Sequence, residues 1–201
     1  AGYAGGTPNG IKMDPETGTM VRSGVEQIIN PLDLYAIEEA IRLKKEYGGK
    51  ITVLTMGPPS AEKALREAVA MGCDSGILLS NRDFAGADTW STSYVLAKAI
   101  ETIGEFDAIF CGERATDGDT GQVGPGIASW LDLTLSTYTS KVVDVNLVDE
   151  EVGYTSVEHD SIIVERMVEE GYEKLELPLP ALLTVVKEIS FPRLPTLRGK
   201  Q

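Results

Sequence analysis

Residues 111–125 read CGERATDGDTGQVGP, and this segment indicates both the fold and the position of a site. It follows the apolar run Ala108–Cys111, which predicts a buried strand. It leads into a predicted helix that carries Val123, Ile127, Ala128 and Leu131. In open parallel sheets, loops that connect a strand to a helix in this way form the ligand-binding edge. We therefore expect an α/β fold with a site at this loop.

Two further strand-and-helix repeats precede the loop. Lys50–Met56 and Ile77–Leu79 are apolar or β-branched runs that predict strands. A first helix is predicted from Asn30-Pro31 to Gly48-Gly49, since proline suits the first helical position and glycine the end. Two more are predicted over residues 60–72, with Ser60 as cap, and 88–103, with Asp88 as cap. Alternating strands and helices predict a doubly wound, mostly parallel sheet with helices on both faces.

The last third of the sequence has a different pattern. Short alternating runs separated by acidic, turn-like residues predict an added antiparallel hairpin region over residues 141–178. The runs are Val142–Val148, Gly153–Val157, Ile162–Arg166 and Leu175–Leu177. Ala181–Val186 is apolar and is expected to return to the main sheet. Residues 188–201 contain prolines that favour an extended chain, and we expect this start of an arm to lie on another surface.

Composition excludes several classes of function. Lys+Arg 18 against Asp+Glu 31 gives a formal net charge of −13, which repels polyanions and removes the counterion release that drives nucleic-acid binding. Nucleic acid and anionic membrane surfaces are therefore not expected as partners. The longest apolar runs are far shorter than the ~20 residues of a membrane span, and residues 1–6 lack a secretory pattern. We expect a cytoplasmic protein.

The inventory of reactive side chains is small. Cys73, Cys111 and the single His159 are too few for a zinc or iron–sulfur site. The two thiols are expected to be free and buried. His159 lies between acidic residues in the predicted hairpin region, far in sequence from any candidate nucleophile, so a solvated turn position is expected. We assign no catalytic residue and no metal site.

The long loop suits a nucleotide. Gly118 and Gly121 allow close approach of the backbone, Thr120 adds a hydroxyl, and the amides that open the next helix can receive a phosphate. The loop is neither a Walker motif nor Gly-x-Gly-x-x-Gly. Asp117 and Asp119 would repel a phosphate, so we expect them to make ribose or backbone hydrogen bonds, or to cap the helix.

The residues alone leave alternatives open. Asp117 and Asp119 with Thr120 could hold Mg²⁺ beside a phosphate. The segment could instead be a polar loop with a capped helix. Arg114 could pair with a phosphate or with Asp117.

Six segments, in order over about residues 10–200, resemble the beta subunit of electron-transfer flavoproteins. They are DPETGT (14–19), INPLD (29–33), TMGPP (55–59), AMGCD (70–74), FAGADT (84–89) and the loop 111–125. The resemblance implies an adenine-nucleotide alpha-hydrolase-like fold and a single nucleotide-binding domain. In that family the beta subunit binds AMP as a structural ligand or, in the electron-bifurcating branch, FAD.

The resemblance also implies which residues contact the nucleotide. They are Asn30, Pro31, Leu32, Asp33, Met56, Gly112, Glu113, Arg114, Ala115, Thr116, Asp117, Gly118, Asp119, Thr120, Gly121, Gln122 and Val123. The DGDT form, the QVGP that follows it, and the FAGADT loop look more like the bifurcating and nitrogen-fixation-related members. FAD is therefore expected, with AMP as the alternative.

The implied role is that of an electron carrier within a complex rather than an autonomous enzyme. The resemblance implies a heterodimer with the alpha subunit, NADH as electron donor, and ferredoxin or flavodoxin as one acceptor. The other acceptor would be an acyl-CoA or hydroxy-acid dehydrogenase, reached through the alpha-subunit flavin. One alternative is an AMP-holding subunit that shuttles electrons between dehydrogenases and a quinone reductase. Another is a stand-alone adenine-nucleotide-binding or adenylating module.

Family members begin with an apolar strand and continue past the position of Arg198 with an arm that embraces the alpha subunit. Ala1–Gly6 does not have the character of that strand. We therefore expect an N-terminal strand and a C-terminal arm that lie outside this sequence.

Overall fold

A computed structural model describes residues 27–148 and 159–196, together with residues 2–3, 12–13, 15 and 20–21. Four two-residue strands form two small antiparallel pairs. β1 (Gly2–Tyr3) pairs with β4 (Gln27–Ile28), and β2 (Lys12–Met13) pairs with β3 (Met20–Val21). The expected strand run at 153–157 lies outside the described residues.

The first helix, α1, spans Pro31–Tyr47 and has the predicted bounds. Pro31 opens it, and Asn30 occupies the cap position without a side-chain capping hydrogen bond. Gly48, with φ of 85°, ends the helix. Glycine adopts this positive φ without the strain that a side chain would cause.

Three strand-and-helix units follow in the predicted order. They are β5 (Thr52–Met56) with α2 (Glu62–Met71), β6 (Ser75–Leu79) with α3 (Thr89–Ile103), and β7 (Ala108–Gly112) with α4 (Val123–Trp130). The expected cap at Ser60 is wrong, because Pro59–Ala61 forms a 3-10 turn and α2 begins after it. Asp88 does cap α3, accepting a 2.7 Å hydrogen bond from the Ser91 amide.

Four more strands complete a five-stranded mixed sheet of order β10-β9-β8-β11-β7. They are β8 (Thr134–Asn146), β9 (Ser161–Val168), β10 (Gly171–Pro178) and β11 (Ala181–Val185). β11 pairs in parallel with β7 and β8, whereas β8, β9 and β10 pair antiparallel. The α/β class, with antiparallel strands added to parallel ones, is confirmed.

The parallel strands fall into two groups among the described residues. β5 pairs with β6, while β7 pairs with β11 in the larger sheet. Val53 and Leu54 of β5 and Ile109 of β7 line one common cavity. Among the described residues no strand joins β5 to β7, so β5 and β6 form a ladder separate from that of β7 and β11. The expected N-terminal strand stays a prediction.

Helices cover both faces of the large sheet. On one face, Ala36 of α1 packs with Leu183 and Val185 of β11. On the other, Ala97 of α3 and Ile127 of α4 pack with Leu182. Successive β11 side chains thus point to opposite helix layers, and each fully buried leucine contributes about 2 kcal/mol through removal of apolar surface from water. The sheet is doubly wound, as predicted.

Residues 190–196 are extended and lie across α1 and α2. Ser190 Oγ donates to the Tyr35 carbonyl over 3.0 Å, and the Thr196 amide donates to the Ala70 carbonyl over 3.1 Å. Between them Arg193 Nε donates to Glu38 Oε2 over 2.7 Å. This strap, residues 190–196, holds the chain to its own helices.

Candidate functional site

The start of α1 abuts the end of β7, where the long loop begins. A Cβ atom added at Gly112 would lie 2.7 Å from Leu32 Cβ and 2.9 Å from the Asp33 nitrogen. Only glycine permits this approach. The carboxylate of Asp33 then accepts a 2.7 Å hydrogen bond from the Gly112 amide, which ties the helix to the loop.

Asn30 makes a second connection between α1 and the loop. Its Nδ2 donates to the Arg114 carbonyl over 2.9 Å and to Asp33 Oδ2 over 3.2 Å. Its Oδ1 accepts from the Thr116 amide over 3.0 Å. Asn30 is 2% exposed. Its side chain therefore closes the loop backbone onto the helix start, a role that the cap position alone did not reveal.

The remainder of the loop folds back on itself. The Asp119 amide donates to the Ala115 carbonyl over 2.8 Å, and Asp117 Oδ1 accepts from the Gly118 amide over 2.8 Å. The backbone is left-handed at Asp119 (φ 53°) and at Gly121 (φ 64°). Asp117 thus makes a backbone hydrogen bond, one of the roles predicted for it.

The charges of the loop pair with one another. Arg114 Nε lies 3.1 Å from Asp119 Oδ1 and 3.3 Å from Glu113 Oε1. Of the two partners considered for Arg114, Asp117 is not the one the structure shows, because the Asp117 carboxylate accepts from the Gly118 amide instead. Two carboxylates neutralise the guanidinium, and the loop as a whole stays acidic.

The loop ends at α4, whose N-terminus has no side-chain cap. Gln122 occupies the cap position, but its Oε1 accepts a 2.9 Å hydrogen bond from Thr89 Oγ1 of α3. Pro125, the third residue of the helix, has no amide hydrogen to satisfy. The opening amides of α4 are consequently left for a ligand or for water.

A cavity of about 340 Å³ lies between the loop, the start of α1 and the end of β5. The predicted site residues that line it are Asn30, Asp33, Met56, Gly112, Glu113, Arg114, Ala115, Thr120, Gly121, Gln122 and Val123. The predicted residues that do not line it are Pro31, Leu32, Thr116, Asp117, Gly118 and Asp119. Pro31, Leu32, Thr116 and Asp119 instead line an open groove on the far side of the loop. Whether any of them contacts a nucleotide stays a prediction.

Apolar side chains also line this cavity, and they were not predicted as site residues. Val53 of β5, Leu96 and Ile100 of α3, and Ile127 of α4 are among them. Leu96 and Ile100 are one helical turn apart, which indicates an inward face. Periodicity does not tell whether an inward face packs against protein or lines a cavity.

The thiols and the histidine take simple positions. Cys73 is buried and Cys111 half-buried, and both are free. Burial raises the pKa of the Cys73 thiol to about 11 and raises that of Cys111 further still. His159 is exposed, as predicted.

The described residues contain neither a cluster of metal-binding side chains nor a membrane-spanning helix. Over residues 27–148 and 159–196 and the short described pieces before them, no three His, Cys, Asp or Glu side chains are grouped to hold a metal ion. One of the two carboxylates that a magnesium ion would use here, that of Asp119, is paired with Arg114 Nε at 3.1 Å. No helix in the described part of the chain is long and apolar enough to cross a membrane.

The chain is similar in sequence to known proteins over most of its length. A family model described as "Electron transfer flavoprotein domain" matches residues 17–201. The chain is 50% identical over 191 residues to "Electron transfer flavoprotein subunit beta" of Thermoanaerobacterium thermosaccharolyticum, covering 95% of this chain and 68% of that protein. It is 49% identical over 180 residues to "Protein FixA" of Azotobacter vinelandii, covering 88% and 60% respectively. It is 45% identical over 192 residues to "Caffeyl-CoA reductase-Etf complex subunit CarD" of Acetobacterium woodii, covering 95% and 68%. The chain thus spans between 60% and 68% of the length of these relatives.

Proposed function

The chain is a beta subunit of the electron transfer flavoprotein family, and we propose that it holds FAD at the loop between β7 and α4. It would act there as the beta subunit of an electron-bifurcating heterodimer. The observation that carries the proposal is the loop itself, which is fixed to α1 through Asn30 and Asp33 and leads into an uncapped helix.

The donor set of the loop fits a phosphate-bearing ligand. The opening amides of α4 lie at the positive, N-terminal end of the helix dipole, where a negative charge is favoured. Gly121 adopts a left-handed backbone there, and a Cβ atom added at Gly118 would meet nothing within 4 Å. A ligand can therefore come close to the backbone at this turn.

The acidic side chains shape how a phosphate would bind. Asp119 holds Arg114 at 3.1 Å, so a phosphate must either displace this carboxylate or rely on backbone amides. We favour the amides, since they need no rearrangement of the loop. Asp119 then lowers affinity through repulsion, which makes its removal informative.

The apolar walls suit the remainder of the ligand. Val53, Leu96 and Ile127 line the cavity and would keep water from an aromatic ring system. When bound, the flavin supplies the redox chemistry, and the protein sets its position and surroundings. No side chain of the loop needs to act as a nucleophile, so we assign no catalytic residue.

The proposed electron path follows from the family. NADH would deliver two electrons, one leaving for ferredoxin or flavodoxin and the other passing through the alpha-subunit flavin to an acyl-CoA or hydroxy-acid dehydrogenase. The relative from Acetobacterium woodii, named as a subunit of a caffeyl-CoA reductase–Etf complex, supports a complex of this type. The alpha subunit would be the permanent partner.

Cavity size favours one alternative. About 340 Å³ lies at the lower end of the ~300–1,000 Å³ range of small-molecule sites, and AMP is less than half the size of FAD. AMP would fit within the cavity, whereas FAD must extend beyond it. In that case the chain would hold structural AMP in a carrier that serves dehydrogenases and a quinone reductase.

Counting nucleotides separates these candidates. The full-length beta subunit is co-expressed with its alpha subunit, the purified heterodimer is denatured, and released FAD and AMP are quantified by chromatography. Two FAD per heterodimer would support the proposal. One FAD with one AMP would overturn bifurcation and support the carrier, and a stable monomer that releases pyrophosphate from ATP would favour an adenylating module.

A further inference from the structure

Asn30 is a buried polar side chain whose hydrogen bonds are all directed to the protein. Its amide group donates twice, to the Arg114 carbonyl and to Asp33 Oδ2. Its oxygen accepts from the Thr116 amide. An asparagine amide has two donor hydrogens, so neither is left for a ligand.

The position of Asn30 suggests a nucleotide contact, but its hydrogen bonds argue against one. It borders the cavity, yet it is only 2% exposed. A ligand that bonded to its amide would have to break the bond to the Arg114 carbonyl or to Asp33. The freed partner would then be an unpaired group in a poorly hydrated place, which costs about as much as the new bond contributes.

We propose that Asn30 is a positioning residue, which sets the backbone of residues 114–116 before any nucleotide arrives. The inference rests on the proposed nucleotide site and assigns this residue its role there. The Asn30 side chain bridges the carbonyl of Arg114 and the amide of Thr116, which lie two residues apart in the loop. Fixing them orients the following segment up to Gly121 and α4, so that less conformational freedom is lost when a ligand binds.

The first test measures loop order without ligand. Amide hydrogen exchange of the ligand-free heterodimer is compared for wild type, Asn30→Ala and the control Asn146→Ala, whose side chain bonds to Ser161 at the far end of β8. We expect Thr116 exchange to accelerate about tenfold in Asn30→Ala only, with Val164 in the buried strand β9 unchanged. Unchanged Thr116 exchange would overturn the proposal.

The second test uses a variant that can regain the two bonds to the loop, to the Arg114 carbonyl and from the Thr116 amide. In Asn30→Asp, a protonated carboxyl can donate to the Arg114 carbonyl and accept from Thr116, whereas the ionised form can only accept. The charged neighbours are Asp33 on α1, which is 3.2 Å from the Asn30 nitrogen, and Glu113 and Arg114 on the loop. We expect this variant to bind AMP roughly tenfold more weakly than wild type at pH 8 and close to wild type at pH 5.5.

Asn30→Ala separates positioning from general destabilisation. It should bind AMP weakly at both pH values, relative to wild type at the same pH. Recovery of Asn30→Ala at pH 5.5, or no recovery of Asn30→Asp, would contradict the positioning role. If wild type binds neither AMP nor FAD, the proposed function fails, while the exchange experiment still supports or overturns the role of Asn30 in the loop.

Discussion

The guanidinium of Arg114 lies 3.1 Å from the carboxylate of Asp119, inside the loop that we propose to hold a phosphate. The cation nearest to the expected phosphate is thus already neutralised. Asp119 is also one of three non-glycine residues with a positive φ in the described part of the chain. Aspartate and asparagine tolerate this conformation better than most residues. Replacing Asp119 by asparagine should therefore leave the backbone unchanged.

Asp119→Asn should therefore strengthen nucleotide binding. The asparagine keeps the backbone and removes a charge, and an exposed pair of this kind is worth ~0.2–1 kcal/mol. We expect AMP or FAD affinity, measured by titration calorimetry at low salt, to rise a few-fold and the difference to shrink at high salt. Asp83→Asn, an exposed aspartate in the 3-10 turn before α3, is the control. A loss of affinity in Asp119→Asn would show that the carboxylate bonds the ligand.

Gly112→Ala should destabilise the protein. The added methyl would lie 2.7–2.9 Å from Leu32 and the Asp33 nitrogen, and the backbone cannot yield as a side chain can. Overpacking of this kind costs ~1–3 kcal/mol. Gly118→Ala is the matched control in the same loop, since a Cβ there would meet nothing within 4 Å. Chemical denaturation should separate the two, and equal unfolding free energies would contradict the close contact.

The strap should loosen in acid. The hydrogen bond from the Arg193 side chain holds the pKa of Glu38 below its ordinary value. Because the pKa is lower in the folded state, the stabilisation is complete above the unfolded value of about 4.3 and is lost as the pH falls through the folded one. Glu38→Gln should be less stable than wild type by on the order of 1 kcal/mol at pH 7.

The same comparison at acid pH provides the check. Unfolding free energies of wild type and Glu38→Gln should converge as the pH falls through the lowered folded-state pKa of Glu38. Glu62→Gln, at an exposed helix pair with Arg66, should differ little from wild type at either pH. A gap between wild type and Glu38→Gln that persists in acid would exclude ionisation of Glu38 as its source.

Both thiols should react slowly in the folded protein. With a pKa of about 11, Cys73 is ionised to on the order of one thousandth at pH 8, and burial raises the pKa of Cys111 as well. Labelling with an aromatic disulfide reagent should be slow in buffer and rapid, at two thiols per chain, in denaturant. Fast modification of Cys111 in the folded protein would indicate that the cavity wall at this residue opens.

Sequence patterns predicted the elements better than their arrangement. Asn30-Pro31, Gly48 and Asp88 mark helix ends by local chemistry, so α1 and α3 begin or end where expected. Ser60 carries a similar signal, but Pro58 and Pro59 impose a 3-10 turn first. β5 pairs with β6 and not with β7. Which strands become neighbours depends on contacts between segments far apart in sequence, and no local pattern encodes these.

The candidate site shows the same division. The glycines and the strand-to-helix order were enough to predict where the loop lies. The hydrogen bonds inside the loop depend on which side chains meet in the fold, and these were not predicted. Asn30 was expected at a helix start, and its contacts with Arg114 and Thr116 cross more than 80 residues of sequence. Such contacts follow from the packing of α1 on β7 and could not be predicted from either segment alone.

Strand β8 belongs to two ladders at once. Its first half, from Thr134 to Thr139, runs beside β11, and its second half, from Thr139 to Asn146, runs beside β9. Separating the outer hairpin of β9 and β10 would therefore pull on the same backbone that pairs with β11. The five strands should melt as one cooperative unit, with the hairpin acting as a brace rather than as an appendage that frays first.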